Sequence, residues 1–391
     1  SIRNLYLDSY IKPNKIFTNL GWDGNDNIEP ALFAFSTSLN NNKNIIAEFF
    51  PSFFYLKGEK WQINPQSTFL WSPELIEISG FDIVNNDQLI SFNGKVSKDP
   101  DDWLNFRVKD FDLSALNKFL GGDLTLGGRL NMDGGLADVY DNIRFMAITG
   151  LSDFIINEEE VGDILVDSKW NKVTNSVKLN GNLKRDQKET FSFYGDYFAE
   201  KEKNSLDMFL SFGHTDISFL NAFSDEELYT DIEGVLNGDL HLGGEPLNPI
   251  IKGDLDVVTA NVKVPMFNVA FGLSGKISFG EGEIIADDLT LSDQEGHKAI
   301  TMMHIYHYDW ASWNYDIILD MADPQFTKTF LVMDTRYNEG DVYYGKAYVT
   351  GDVNISGYNG LTAIDVNAKT KKGTSLTLPL YGTSELKQDN F

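Results

Sequence analysis

The chain has 391 residues, 42% of them hydrophobic, with 32 basic residues against 58 acidic ones and a formal net charge of −26. That acidity argues against nucleic acid, whose phosphates are held by Lys and Arg, and sets the outside of the protein against an anionic membrane surface. There is no cysteine, which excludes disulfides, thiolate metal sites and cysteine nucleophiles.

The first residues, SIRNLYLDSYIKPNK, hold no apolar signal-peptide core, and no run of about 18 apolar residues follows anywhere. The sequence does not begin with Met, so a mature product or a piece of a longer chain is expected. The most apolar stretch, IIAEFFPSFFYLKG at Ile45 to Gly58, reads as a buried strand pair broken by Pro51.

DLSALNKFL, Asp112 to Leu120, is one of few helical signals. It opens on a cap-like Asp or Ser and ends at Gly121-Gly122, giving about two turns. The strand GDLTLGG follows at Gly122 to Gly128. A twin helix, DISFLNAF at Asp216 to Phe223, precedes GDLHLGG at Gly238 to Gly244, and a looser GDVNISG lies at Gly351 to Gly357. The GD starts are 116 and 113 residues apart. The second copy then carries about a dozen inserted residues between helix and strand. In the third copy DPQFTKTFLVMD, Asp323 to Asp334, stands in for the helix. Repeats of this size usually mean stacked units.

Elsewhere the dominant period is two, the strand period. Ile251, Gly253, Leu255 and Val257 oppose Lys252, Asp254 and Asp256. Val349, Gly351, Val353 and Ile355 oppose Thr350, Asp352, Asn354 and Ser356. Leu376, Leu378 and Leu380 share a face. The pattern recurs at Val177 to Leu183, and at Ile284 to Leu291 with a slip near Asp287. Gly-Asp and Asn-Gly pairs punctuate the runs as turns require. The fold class is therefore all-β: an elongated, curled antiparallel sheet with a few short helices. Residues 1–391 read as one continuous sheet with weak repeats near 112–128, 216–244 and 351–357.

Chemistry is sparse. His304 and His307 fall on opposite faces of a strand, poor for a shared metal. Asp287-Asp288 and Glu158-Glu159-Glu160 point apart in strands. No nucleophile elbow, P-loop or dinucleotide fingerprint occurs. No catalytic set, metal or cofactor is expected, and the chain reads as no enzyme. The aromatic run YHYDWASWNY, Tyr306 to Tyr315, reads as an amphipathic strand pair turning at Asp309 to Ser312, with a carbohydrate platform as the alternative. What remains is the apolar face. Alternation alone does not separate a closed core from an open trough, because both need the same pattern.

Glu245 to Ala299 resembles the C-terminal region of the TamB family, AsmA-like bridge proteins of Gram-negative bacteria. The matching elements are a Pro followed by a G-x-L-x-V strand, the A-x-x-x-V-P turn at Ala260 to Pro265, I-x-F at Ile277 to Phe279, and L-x-L-x-D-x-x-G at Leu289 to Gly296. Tyr343 to Leu380 is similar to the Bacteroidota members, and Lys60 to Asp87 follows the same pattern more loosely. The resemblance implies a taco-like β trough with an apolar interior, in the periplasm. It implies movement of phospholipid between inner and outer membranes, an N-terminal inner-membrane anchor absent from this sequence, and an outer-membrane BamA-like (TamA-like) barrel as partner. The family's last segment is also missing after GTSELKQDNF, so the chain is expected to be an internal fragment. The expected lipid-groove residues are Leu124, Leu126, Leu130, Leu236, Leu240, Leu242, Ile251, Leu255, Val257, Val349, Val353, Ile355, Leu376 and Leu378. The alternatives are a non-transporting scaffold or chaperone for outer-membrane protein assembly, an outer-membrane barrel, and a surface adhesin.

Overall fold

The computed structural model describes residues 3–24, 29–121, 124–141, 143–199, 201, 203–224, 229–337, 343–358 and 360–378. It divides into two compact units, Ser1–Leu210 and Ser211–Phe391. The first holds β1 Arg3–Lys12, β2 Lys15–Asp23, β3 Ala31–Leu39, β4 Ile45–Phe49, β5 Ser52–Leu56, β6 Glu59–Ile63, β7 Thr68–Ser72 and β8 Leu75–Asn85. It continues with β9 Gln88–Ser97, β10 Trp103–Asp112, β11 Leu126–Ala137, β12 Arg144–Ile156, β13 Glu159–Asn171, β14 Ser176–Arg185 and β15 Lys188–Tyr197. Strand β16, Leu206–Asp216, runs past the division. The second unit holds β17 Thr230–Glu245, β18 Asn248–Val264, β19 Val269–Gly280, β20 Glu283–Asp293 and β21 Lys298–Tyr308. It ends with β22 Ser312–Asp320, β23 Phe330–Thr335, β24 Tyr344–Tyr358, β25 Leu361–Thr370 and β26 Ser375–Thr377. Every described pairing is antiparallel, so the all-β expectation holds.

In the first unit most strands pair with their sequence neighbours. The exception lies at Ile45 to Gly58. β4 and β5 do not pair with each other; both lie along β3, with the break at Pro51. β7 and β6 back them and both rest on β8. Proline interrupts the ladder, and at the break the buried Ser52 hydroxyl accepts the Ala34 N–H at 2.8 Å, so that this backbone donor keeps a partner.

The sheet curls. Trp61 on β6 and Phe111 on β10 are three ladder steps apart, which would be about 14 Å on a flat sheet. Their ring centroids are 5.8 Å apart. Register shifts at Ile78/Phe81, Val108/Phe111, Gly127/Arg129 and Leu151/Phe154 fall on β8 and β10 to β12. Such bulges bend and twist the strands that carry them. Trp61, Phe111, Leu113 and Ala115 form the resulting core.

A repeat of a different length from the expected one organises both units. β10, β16 and β22 each end on an aspartate: Asp112, Asp216 and Asp320, 104 residues apart each time. Each carboxylate accepts the N–H two residues on, from Ser114 (3.0 Å), Ser218 (2.7 Å) and Ala322 (2.8 Å). The residue between is buried each time: Leu113, Ile217, Met321. In the first two copies an asparagine then grips the next strand with both ends of its amide. Asn117 bonds Leu126 N–H and C=O at 2.9 and 3.1 Å, and Asn221 bonds Ile232 N–H and C=O at 2.7 and 2.8 Å.

Leu126 therefore corresponds to Ile232, and the second copy is two residues longer at this point rather than a dozen. GDLTLGG and GDLHLGG are not equivalent in space. Leu124 and Thr125 precede β11, Gly122 and Asp123 lie outside the described residues, and Gly238 to Gly244 occupies the second half of β17. The expected two-turn helices are shorter too, 3-10 segments at Leu113–Leu116 and Ser218–Phe223. The asparagine grip leaves the chain little room before it re-enters the sheet.

In the third copy DPQFTKTFLVMD does occupy the cap position, but as the strand β23. β22 pairs with the second half of β24 and β23 with the first. Phe330 stacks on Phe271 at 6.0 Å, and Phe330 and Leu331 are fully buried. The buried Asp293 secures the strap: Oδ2 accepts Leu331 N–H at 2.6 Å and meets His297 Nδ1 at 2.7 Å, while Oδ1 accepts the N–H groups of Glu295 and His297.

Candidate functional site: the inner apolar face

Alternation along β17 to β24 divides the second unit's sheet into a polar outer face and an apolar inner one. The expected groove residues meet there in register. Leu236 opposes Val257, Leu240 opposes Gly253, Leu242 opposes Ile251, and Leu255 opposes both Gly238 and Ile277. One row continues from Leu240 through Gly253, Phe279, Ile284, Ile305 and Tyr315 to Gly357. It crosses seven strands, or about 29 Å at the usual strand spacing.

The GD glycines are parts of this face. Gly238 and Gly253 sit at φ 134° and 135°, where only glycine is at ease. A Cβ would lie 2.2 Å from the Asp254 carbonyl oxygen at Gly238 and 2.3 Å from that of Asp239 at Gly253. Each glycine faces a leucine of the other strand, so the close approach is reciprocal. The motif is a close backbone approach inside an unbroken ladder. The slip expected near Asp287 is also present, as the register shift between Ala286 and Leu289.

The outer face is charged. Lys276 bridges Asp254 at 2.9 Å and Lys252 bridges Glu281 at 3.0 Å. The Ser278 hydroxyl and the Lys276 ammonium hold the Asp254 carboxyl below the usual carboxylate range.

The fourteen expected residues differ in exposure. Leu240, Leu255 and Val257 are buried. Leu236, Leu242, Ile251 and Ile355 are half-buried, as are Val349 and Val353, which pack against the Met321–Phe330 cluster. In the first unit Leu126 and Leu130 pack against the Trp61 cluster, and Leu124 is exposed. Leu376 and Leu378 are 52% and 65% exposed; the first lies on β26, the second just beyond it, and Leu380 falls outside the described residues. A cleft of about 520 Å³ opens in the first unit between Ile11, Ile16, Leu39 and Ile45, and none of the fourteen lines it.

The run Tyr306 to Tyr315 is the strand pair read from the sequence, turning between Tyr308 and Ser312, and it gathers an aromatic cluster at one edge of the inner face. His307 follows Ile305 on that face and pairs with Trp313. Trp310, in the β21–β22 turn, lies 4.1 Å from His307 and 5.8 Å from Trp313 between centroids. Its indole N–H donates to Pro249 C=O at 2.6 Å, and Asn248 donates to Asp309 at 2.8 Å. Together these bonds clasp the β17–β18 and β21–β22 turns. The rings are mutually tilted by 32° to 69°, unlike a flat sugar platform. His304 lies on the other face, bonded to Asp287 at 2.7 Å, as the spacing predicts. Among the described residues no group of three His, Cys, Asp or Glu is placed to hold a metal, and no helix is long and apolar enough to cross a membrane. The chain matched no protein-family model, no curated protein and no solved structure.

Proposed function

We propose that the inner face carries the acyl chains of phospholipid, with head groups left in solvent. The observation that carries this reading is the apolar row from Leu240 to Gly357, much of it half-buried, backed by a charged outer face. Each buried methylene contributes about 0.8 kcal/mol, so such a row holds a tail without polar recognition and needs no catalytic group. On this reading the chain is part of a periplasmic bridge between inner and outer membranes. Its inner-membrane anchor would lie outside this sequence, and a BamA-like outer-membrane barrel would be its partner, as the TamB resemblance implies.

The test is photocrosslinking in cells from position 242, on the inner face, and from 239, on the outer. Lipid adducts at 242 and none at 239 support the groove. Mass spectrometry of lipids carried by detergent-free protein gives an independent reading. Absence of lipid from both experiments would sink it.

A passive scaffold for outer-membrane assembly is the second reading, and the first unit favours it locally. Around Trp61 the curl of the first unit's sheet is filled by the protein's own Phe54, Phe111, Leu113 and Ala115.

A further inference from the structure

We propose that the edge strand β25 pairs with β25 of a second copy of this chain about a two-fold axis, an inference independent of what the inner face carries. Among the described residues β25 is paired with β24 alone, and all ten of its residues are exposed. Its outward rim of N–H and C=O groups is a ready template for another strand. The strand is apolar as well as bare: Leu361, Ile364 and Val366 are 77%, 61% and 63% exposed. By register Ile364 and Val366 continue the inner face from Ile355 and Val353.

Charge selects the partner. On the other face of β25, Asp365 and Lys369 lie four residues apart with Asn367 between them. Neither side chain is hydrogen-bonded or ion-paired among the described residues. In an antiparallel pair centred on Asn367, Asp365 of each copy stands opposite Lys369 of the other, so one register matches all four charges. The same register sets Val366 against Ala368 and Ile364 against Thr370, keeping the two inner faces on one side. The edge strand β1, paired with β2 alone, repeats the spacing at Asp8 and Lys12. There, however, the ammonium of Lys12 already lies 5.4 Å and 5.1 Å from the Tyr10 and Phe17 ring centroids. Joining β25 to β1 would also build an open chain of copies, whereas the two-fold closes.

The experiment follows the full chain by sedimentation velocity over a wide range of concentration. Dimer should grow with concentration. Asp365→Lys sets lysine against lysine at both charge pairs and should weaken the dimer about tenfold. Adding Lys369→Asp should restore it, because the exchanged charges still match across the two-fold; against β1 they would meet Asp8 and Lys12 as like charges. The chain has no cysteine, so Asn367→Cys gives a second readout. Its Cα should stand about 4.5–5.5 Å from its own counterpart, within disulfide reach. Ala363→Cys, on the same face, should stand about 27 Å from its own. Mild oxidation should link the first variant and leave the second unlinked, and urea midpoints check that every variant is folded. A monomer at every concentration would overturn the inference, as would equal linking of the two cysteine variants or a folded double exchange that stays monomeric. Open-ended growth in place of a dimer would overturn it in favour of the β1 edge.

Discussion

The second and third repeats share a framework and part at one hydrogen bond and at the cap. In the second, Asn237 accepts the His214 N–H at 2.7 Å, and in the first Asn131 accepts that of Asp110 at 3.0 Å. Both donors sit at positive φ, 58° and 48°. The third repeat keeps the asparagine, Asn354, but its partner strand runs without a bulge, and Ile318 simply pairs with it. The Asn354 Oδ1 is left buried without a partner. The third cap differs as well, being a strap of large buried side chains where the second is a 3-10 turn around Ile217 and Ala222. The difference teaches that the aspartate and the asparagine frame the repeat, while bulge and cap vary inside the frame.

The largest break in that comparison should come from the caps. Phe330→Ala removes a fully buried ring and is expected to cost about 3–5 kcal/mol, against about 0.5–1.5 for Ile217→Val. Urea midpoints would measure both, and similar losses would refute the contrast. Next, Asp216→Ala and Asp320→Ala should each cost about 0.5–2 kcal/mol. If only one did, the two aspartates would not share a role.

The asparagines give a sharper contrast. Asn237→Ala should cost about 1 kcal/mol, whereas Asn354→Ala removes an unsatisfied acceptor and should be neutral or slightly stabilising. Equal costs would mean that Asn354 has found a partner.

The smallest effect is a pH dependence of the third cap. The Lys346 ammonium, followed by the Tyr348 hydroxyl, holds Glu295 below the usual carboxylate range, and Glu295 in turn raises Lys346. A lowered folded-state pKa contributes stability that is present above the ordinary glutamate value and lost as pH falls through the lowered one. The raised lysine contributes below its ordinary value and loses that as pH climbs through the raised one. Glu295→Gln should flatten the acid limb of a stability–pH curve. An unchanged limb would show that the pairing of Glu295 with Lys346 contributes no stability.

Much of this was legible in the sequence. Ile251 to Val257 alternates as written because one face is apolar and the other charged, and the Asp287 slip marks a true bulge. The repeat was misread because GDLTLGG and GDLHLGG look alike as strings. Gly238 is dictated by the Asp254 carbonyl across the ladder, a constraint with no local trace. The real period was visible as D-φ-[SA] at 112, 216 and 320, a signal too short to stand out beside six matched letters in seven. The run around His307 stood out in the sequence, but its ring geometry did not, because it depends on Pro249, 61 residues from Trp310.

The succession of hairpins within each unit has a consequence for how the chain acquires its structure. Most strands find their partner a turn away, so loop-closure entropy is small and pairing is local, the condition for fast folding. Such a sheet forms by zippering: each arriving strand covers the edge before it and bares its own. β23 breaks the sequence. β24 reaches past it to β22, so Phe330 and Leu331 find their full set of neighbours only after residues beyond them have been placed. That segment should be the last in its unit to gain protection from hydrogen exchange during refolding.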